Sequence, residues 1–353
     1  MNTLQKIIIL SIGCMLMASC ASTRNLTIEY QRPAEITFPE NVTRILVINN
    51  TVSQDPTFGV KHTFNGHPIE PIAVPVDSAA YYTVNSLSYE LDKNNFFTKV
   101  TVLNESLRGD DKFELPGRLD NDVVNELALQ AGADAIISLD HQIYNSQISL
   151  IDNKIGLKNG SIKVRGFCLF NVYIPFREKT HMASMRYVDS LTWRNDDVST
   201  RRDDIKELIN SEYATTVVCA TGSMMGGRMA NKIIPVWIAD NRKVYSSYQS
   251  DWMAADANLR KDKWEEAVLI WEKIYNKSSS GKSKAKAANN IAVACELNDN
   301  YEQALDWINK AQQVLGDKGR NSGTTLQKEL SAYHKALEAR IEQSKELNSQ
   351  LRY

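Results

Sequence analysis

The chain has 353 residues, of which 43% are hydrophobic and 24% are charged, with 41 basic against 42 acidic side chains. This length allows two globular domains with sizeable cores. The composition is that of a folded protein and excludes a disordered, fibrous or multi-span membrane chain. Because the charges nearly balance, nothing indicates a nucleic-acid partner, and none is predicted.

The N-terminal segment departs from this average composition. Lys6 precedes an apolar run of about twelve residues, Ile7 to Ala18, which is too short to cross a bilayer and has the length of the apolar region of a secretory signal. The run ends in the letters LMASC, which resemble the bacterial lipobox. Residues 1–19 are therefore predicted to be a lipoprotein signal peptide, and Cys20 the mature N-terminus that carries acyl chains such as palmitate. An ordinary signal peptide with an incidental cysteine is the alternative.

The residues after Cys20 predict which membrane holds the protein. Ala21 stands where lipoproteins retained in the inner membrane commonly have Asp, and residues 21–25 lack the acidic cluster that resembles a surface-export tag. We therefore expect a periplasm-facing outer-membrane lipoprotein whose membrane attachment is the acyl anchor on Cys20. Residues 20–40 contain two prolines and no clear periodicity, so they are predicted to be a tether.

Residues 41–245 are predicted to form an α/β domain with a mixed sheet. Strand-like apolar runs alternate with segments whose apolar residues recur every three or four positions. With short connections, this order implies a parallel core with right-handed crossovers. The core elements are strands at 44–50, 96–103 and 134–139, a loop or irregular hairpin at 56–76, and helices capped by Asp77 and Asp120, the second of which ends at Gly132.

The second half of this domain has a different pattern. Residues 161–176 and 181–194 indicate two long strands, which we expect to extend the sheet as an antiparallel hairpin. A long helix is predicted to follow from about Asp203. The apolar run at 233–238 is predicted to be an edge strand that closes the domain, because Pro235 has no N–H to donate to a neighbouring strand.

Residues 246–353 are helical in pattern throughout and contain an internal repeat. Residues 264–268 (WEEAV) align with residues 301–305 (YEQAL) at an offset of 37. This pattern resembles the tetratricopeptide repeat (TPR), whose unit has 34 residues. The resemblance implies structural roles, in the crossing of helices or the filling of the space between units, for Ala255, Trp264, Ala267, Trp271, Ala292, Tyr301, Ala304 and Ala311.

Two such units leave an end face uncovered, so a cap is required. Apolar residues recur every three or four positions between Leu326 and Ile341, which predicts that residues 324–350 form an amphipathic capping helix. A coiled-coil dimer is the alternative interpretation of the same apolar stripe.

No pattern in the sequence indicates a catalytic site, so neither an enzyme nor a cofactor is predicted. His62 and His67 could meet a metal together with Glu70 or Asp77. No third ligand has a characteristic spacing, however, and no metal is predicted. A hydrolase that uses this loop is kept as a third hypothesis, behind the two given below.

Two short motifs carry less weight. Gly222, Gly226 and Gly227 do not directly follow a strand, so they are predicted to allow close helix packing rather than to bind a phosphate. Ser78 and Ser190 lie in Asp-Ser-apolar tripeptides that resemble the O-glycosylation acceptor of Bacteroidota secreted proteins. So short a pattern arises about once by chance in a chain of this length, so the two serines are weak candidates.

The lipobox, the α/β domain and the TPR pair together resemble an uncharacterised family of Bacteroidota outer-membrane lipoproteins built on domains of unknown function. Residues 123–137 are also similar to α/β domains of envelope assembly lipoproteins, including the curli secretion-channel type. We expect a non-enzymatic, lipid-anchored protein whose TPR groove binds an unidentified envelope protein, in assembly or maintenance of an envelope complex. A surface-exposed glycan-binding lipoprotein is the alternative.

Overall fold

The structure is a computed structural model that describes residues 23–108, 112–152, 158–195, 211–316 and 324–351. The chain divides into two compact units. The α/β unit contains Ala34–Pro235, and the helical unit combines the residues up to Pro33 with Val236–Leu351. A mixed α/β region is followed by an all-helical region, which confirms the predicted fold class.

The described residues form nine strands and eight helices. The strands are β1 (Thr23–Arg32), β2 (Arg44–Asn49), β3 (Val60–Phe64), β4 (His67–Ile69), β5 (Lys99–Leu103), β6 (Ala135–Asp152), β7 (Lys158–Tyr173), β8 (His181–Asn195) and β9 (Val236–Tyr245). The helices are α1 (Asp77–Lys93), α2 (Asn121–Ala131), α3 (Ser211–Ile233), α4 (Ser250–Leu259), α5 (Trp264–Lys277), α6 (Gly281–Leu297), α7 (Tyr301–Gln313) and α8 (Thr325–Gln350).

The α/β unit contains one seven-stranded sheet. Strand β2 pairs in parallel with β5 on one side and with the first part of β6 on the other, which confirms the predicted parallel core. The later part of β6 pairs in parallel with β3, and β3 forms a short antiparallel hairpin with β4. Strand β7 runs antiparallel along β6, and β8 runs antiparallel along β7, so the predicted hairpin extends the sheet as expected.

Helices α1 and α3 pack against each other at very short range. A Cβ atom on Gly226 would overlap the carbonyl oxygen of Thr83, and one on Gly222 would lie 2.7 Å from the carbonyl oxygen of Ala79. The two glycines are therefore needed for this crossing, which confirms the prediction of close packing at both positions. At Gly227 the nearest atom would be 3.7 Å away, so this third glycine is not needed for the contact.

The helix termini differ in part from their predictions. Asp77 does not cap α1, since the cap position is Val76 and Asp77 is the first helical residue. Its carboxylate accepts a hydrogen bond from Ser53 and lies in the first turn, where negative charge is favoured by the helix dipole. Asp120 occupies the cap position of α2 but makes no capping hydrogen bond. Gly132 ends α2 with φ 63°, the left-handed conformation predicted for it.

The segment predicted to be a tether is largely a strand. Residues Thr23–Arg32 form β1, which pairs antiparallel with β9 along its whole length, from Thr23 opposite Tyr245 to Arg32 opposite Val236. We call β1 and β9 together the ribbon. The prediction of a flexible tether is therefore wrong for residues 23–32, because these residues find a strand partner more than 200 positions away in the chain.

The predicted edge strand of the α/β sheet is also wrong. Helix α3 continues to Ile233, and β9 pairs with β1 in a separate two-stranded sheet rather than with the seven-stranded one. The structural units consequently divide the chain after Pro235, whereas the sequence analysis placed the boundary after residue 245.

The core of the helical unit is built around α6. Small side chains dominate this helix, and both its apolar and its asparagine residues are buried, so it is packed on all sides by other elements. Leu326, Leu330 and Leu337 of α8 belong to the same buried cluster, which places the stripe of α8 inside this unit rather than on an open coiled-coil seam. The buried residues of α6 are Ala285, Ala287, Ala288, Asn289, Asn290, Ile291, Ala292, Val293, Ala294 and Glu296.

Candidate functional site

The ribbon lies on helices α6 and α8. Strand β9 contacts α6, and β1 contacts α8. Ile28 and Val244 of the ribbon are buried in the same apolar cluster as Ile291 of α6 and Leu330 of α8. The helices therefore bind the ribbon first by burying its apolar side chains.

Two asparagines of α6 bind the backbone of β9 directly. Asn290 Oδ1 accepts a hydrogen bond from the N–H of Tyr245 at 2.8 Å, and its Nδ2 donates to the carbonyl oxygen of the same residue at 2.7 Å. Asn289 Nδ2 donates to the carbonyl oxygen of Lys243 at 2.7 Å. The amide of Asn290 thus satisfies both polar groups of one extended residue, as a neighbouring strand would.

A buried ion pair joins the ribbon to α6. Arg242 Nε and Nη2 each donate to one carboxylate oxygen of Glu296 at 2.8 Å, and the two residues are 8% and 2% exposed. Tyr333 of α8 donates to Glu296 Oε2 at 2.6 Å, and its ring lies 5.2 Å from the guanidinium carbon. Burial by itself would lower the pKa of Arg242, but the hydrogen bonds and charge of Glu296 raise it above its usual value.

A second arginine holds the other end of the ribbon. The guanidinium of Arg340, on α8, lies 3.7 Å from the ring centre of Tyr30 and 4.9 Å from that of Tyr301. Its nitrogens donate to the carbonyl oxygen of Gln31 at 3.2 Å and to the hydroxyl of Tyr301 at 2.9 Å. The ribbon is therefore bound through apolar, backbone, ionic and aromatic contacts along its length.

These contacts correct the expectation of an open binding groove. Helix α6 is the first helix of the second predicted unit, and α8 follows where the first helix of a third unit would stand. In the described residues, the faces of these helices hold the chain's own ribbon. A partner segment would have to displace β1 and β9 to bind there.

The residues named for TPR-type packing lie inside the helical unit. All are buried except Trp264, which is partly buried and packs against the core, with its ring 6.4 Å from that of Trp271. They contact other elements of the unit. The buried members are Ala255, Ala267, Trp271, Ala292, Tyr301, Ala304 and Ala311.

A second polar cluster is buried in the α/β unit around Asp140. This fully buried carboxylate lies at an irregularity in β6 and accepts hydrogen bonds from Asn50 at 3.0 Å, Ser138 at 2.5 Å and Asn171 at 2.5 Å. Burial raises the pKa of Asp140, although these hydrogen bonds oppose that effect. Asn171 Oδ1 in turn accepts from Ser184 at 2.5 Å, so the polar atoms of the cluster bond to one another.

Sequence analysis missed this cluster. The residues come from four strand regions, at the end of β2 and in β6, β7 and β8, and only the strand order brings them together. A signal existed, however, since Asn50 directly follows the buried strand β2 and Asp140 lies beyond the part of β6 that pairs with it. Polar residues at the carboxyl ends of adjacent parallel strands are the residues to inspect first.

The remaining candidates lie apart from these clusters. His62 is in β3, where burial lowers its pKa, and His67 is exposed in β4. The described residues contain no group of three or more His, Cys, Asp or Glu side chains that could hold a metal. Ser78 in α1 and Ser190 in β8 are both exposed. Cys20 lies outside the described residues, and within them no helix is long and apolar enough to cross a membrane.

Helix α1 exposes a group of tyrosines that sequence analysis also missed. Tyr81, Tyr82 and Tyr89 are 51%, 46% and 63% exposed. The rings of Tyr81 and Tyr82 lie edge to face with their centres 5.7 Å apart, and Lys93 Nζ lies 5.8 Å from the ring centre of Tyr89. The sequence did contain a signal for this group. The three tyrosines lie off the predicted apolar face of the helix, and aromatic side chains on the outer face of an amphipathic helix can indicate a binding surface.

Comparison with known proteins yields two family matches. The model of the domain of unknown function DUF8603 matches residues 42–245, and that of the domain of unknown function DUF6340 matches residues 253–339. No curated protein matches the chain.

Two solved structures are similar at low identity. For a minor lipoprotein from Acinetobacter baumannii, identity is 11%, coverage is 56% of this chain and 97% of that chain, and the TM-score is 0.25. For the hypothetical protein CT253 from Chlamydia trachomatis, identity is 10%, coverage is 54% and 92%, and the TM-score is 0.21. At these TM-scores neither likeness bears on the function of this chain.

Proposed function

The chain belongs to the family of the domain of unknown function DUF8603, and we propose that it is a non-enzymatic, lipid-anchored protein of the bacterial envelope that acts through protein contacts. The expectation of a chain built on domains of unknown function is thereby confirmed. The lipid anchor, the TPR relationship of the helices, the outer-membrane location and the role in assembling or maintaining an envelope complex belong to the proposal.

The observation that carries the proposal is the position of β1. This strand begins at Thr23, three residues after the proposed acylation site Cys20, and it is bound to α6 and α8 through the ribbon. The faces expected to bind a partner therefore hold the segment that follows the anchor. In this arrangement the helical unit fastens the protein to its membrane, and the partner binds elsewhere.

We assign the partner contact to the exposed tyrosines of α1. Tyrosine is enriched at protein interfaces because its ring contributes apolar area while its hydroxyl forms hydrogen bonds. Tyr81, Tyr82 and Tyr89 present three such rings on one helix of the α/β unit. The partner is an envelope protein that covers this face.

Crosslinking in cells tests this assignment. A photoreactive amino acid at Tyr82 or Tyr89 should form one discrete adduct with another envelope protein. Leu129, which is 71% exposed on α2, is the matched control position and should not form that adduct. The adduct formed from position 82 should weaken when Tyr81 and Tyr89 are both replaced by serine. Adducts at Leu129 that match those of α1, or no adduct at either tyrosine, would contradict the assignment.

A glycan-binding lipoprotein on the cell surface is the second candidate, because exposed tyrosine rings also stack on sugars. Protease treatment of intact cells separates the two functions. The periplasm-facing protein should survive this treatment and be cut only after the outer membrane is opened. Cleavage in intact cells would favour the glycan-binding function.

A further inference from the structure

The direction of the ribbon relative to α6 distinguishes the two ends of the helical unit. Strand β9 runs antiparallel to α6, since Arg242 bonds to Glu296 near the last turn of that helix and Tyr245 lies beside Lys286 near its first turn. Thr23 pairs with Tyr245. The backbone of Tyr245 bonds to Asn290, so Thr23 lies beside the middle of α6. From Arg32 to Thr23 the strand β1 runs toward the end of the unit where α6 begins, which we call the anchor end.

Helix α8 begins at the same end. Glu329, in its second turn, accepts a hydrogen bond from the hydroxyl of Tyr245 at 2.5 Å and pairs with Lys243 at 2.5 Å. Helix α5 runs the other way, because it ends at Lys277 immediately before α6 starts at Gly281. The turn at residues 260–263, just before α5, therefore lies at the opposite end, about 20 Å away for a helix of this length.

The anchor end carries an excess of positive charge. Of the described acidic residues, Glu329 and Asp251 lie there, and each is paired with a lysine: Glu329 with Lys243, and Asp251 with Lys273. Further basic side chains at this end form no ion pair with a described residue. They include Arg24, Lys277, Lys282, Lys284, Lys286 and Lys328.

Two of these charges are crowded together. Lys282 and Lys286 are four residues apart in α6 and so lie on one face of the helix. The ammonium of Lys286 lies 5.3 Å from the ring centre of Tyr245, and the pKa of this lysine is lowered by burial and also by the charge of Lys282. Among the described residues, the charge of Glu329 opposes this lowering, and Glu329 is itself paired with Lys243.

The short distance between the proposed acylation site Cys20 and Thr23 indicates which surface lies opposite these charges. Thr23 is the third residue after Cys20, and an extended chain spans at most about 3.6 Å per residue, or about 11 Å in all. A bilayer that holds acyl chains on Cys20 would therefore lie within about one Debye length of Thr23, beside Arg24 and the ring of Tyr245 that Lys286 faces. Tyr248, which is 71% exposed and three residues beyond Tyr245, is an aromatic of the kind found at membrane interfaces.

We propose that the anchor end of the helical unit lies against an anionic phospholipid surface, with Arg24, Lys282 and Lys286 next to lipid phosphates. This inference rests on the acyl anchor in the proposed function. The acyl chains supply the attachment, and the basic side chains set the orientation by holding this end of the unit to the headgroups.

Vesicle binding of the unacylated protein tests the proposal. The mature-length Cys20→Ser chain should sediment with vesicles that contain phosphatidylglycerol, should not sediment with vesicles of phosphatidylcholine alone, and should be released by high salt. The Lys282→Gln/Lys286→Gln variant should bind about 25-fold more weakly, at about fivefold for each charge near an anionic surface.

The matched control is Lys261→Gln/Lys263→Gln, which removes the same charge from the exposed turn at the opposite end. Its affinity should equal that of the parent chain. Equal weakening of the two variants, or absence of binding to phosphatidylglycerol vesicles, would overturn the proposal.

The Cys20→Ser protein also distinguishes a failure of this proposal from a failure of the proposed acyl anchor. Retention of the Cys20→Ser protein in the membrane fraction of cells after a high-salt wash would contradict the anchor and leave the vesicle result standing. Release from that fraction, together with failure to bind the vesicles, would support the anchor and overturn the lipid-facing surface.

Discussion

The two units bury a carboxylate in opposite ways. Asp140 in the α/β unit is surrounded by the neutral donors of two asparagines and a serine, and its pKa is raised by burial. Glu296 in the helical unit faces the guanidinium of Arg242 through two hydrogen bonds. In the first environment burial raises the pKa against three hydrogen bonds that favour the carboxylate, whereas the second contains a full ion pair.

The difference reflects what each cluster holds together. The strands around Asp140 are already joined by the hydrogen bonds of the sheet. The ribbon cannot form the backbone hydrogen bonds of a sheet with α6, because α6 is a helix. Arg242 of the ribbon and the two asparagines of α6 supply the polar contacts instead. Charged residues thus bind the ribbon to α6, and neutral residues reinforce a sheet.

The largest expected effect comes from breaking the ion pair. Arg242→Ala leaves Glu296 buried without its partner, and the free energy of unfolding should fall by about 3–5 kcal/mol. The control is the double variant Arg242→Met/Glu296→Leu, which removes both charges and should recover most of this loss. Denaturant unfolding monitored by circular dichroism measures both. A loss below about 1 kcal/mol in the single variant would contradict the role given to the pair.

In the α/β unit, the contact between α1 and α3 is the feature whose disruption should have the largest effect on stability. Gly226→Ala places a Cβ on the Thr83 carbonyl oxygen and should lower the free energy of unfolding by about 1–3 kcal/mol or more. Gly227→Ala, one residue away, has room for the methyl group and should be neutral or stabilising by up to about 1 kcal/mol. Thermal unfolding of the two variants side by side measures the contrast, and equal midpoints would refute it.

The raised pKa of Asp140 predicts a pH dependence with a definite sign. Because the folded state holds the proton more tightly than the unfolded state, the stabilising contribution of this acid is complete below about pH 3.9 and is lost as the pH rises through the raised pKa. Relative to the non-titrating Asp140→Asn variant, the parent chain should therefore lose stability over that window. A difference that stays constant with pH would show that burial does not perturb this group.

Asp134, at the start of the same strand region, should behave in the opposite way. Its carboxylate accepts hydrogen bonds from the side chain of Arg44 and from the N–H groups of Thr43 and Arg44, which lower its pKa. Its contribution is present above about pH 3.9 and is lost as the pH falls. Asp134→Asn keeps one acceptor oxygen for these N–H groups but removes the negative charge that faces the Arg44 guanidinium, so it should destabilise by about 1 kcal/mol at neutral pH through the loss of charge-assisted hydrogen bonds. Equal stability of variant and parent at neutral pH would argue against these bonds.

The sequence predicted those parts of the fold that rest on local pattern. The helices that begin at Trp264 and Tyr301, the parallel core and the long hairpin all follow from the spacing of apolar residues. Strand β1 carried such a pattern too, since Leu26, Ile28 and Tyr30 alternate with polar residues. It was missed because two nearby prolines suggested an unstructured segment.

The parts that depend on distant partners were not predictable from local pattern. Arg242 interrupts the apolar alternation of β9 and faces inward only because Glu296, 54 residues later, meets it there. The cluster around Asp140 depends in the same way on the order of strands in the sheet. A polar residue at an inward position breaks the apolar periodicity, and the sequence alone does not show which distant partner satisfies it.

Hydrogen exchange of the backbone amides in β1 tests most directly whether β1 is bound by the helical unit. The amides that face β9 in residues 24–32 should exchange as slowly as those of α6, and Asn290→Ala, which removes two bonds to Tyr245, should speed their exchange while leaving the sheet of the α/β unit unchanged. Exchange of residues 24–32 in the parent protein at the rate of an unstructured peptide would show that this segment is a free tether and that the helical faces are open to a partner.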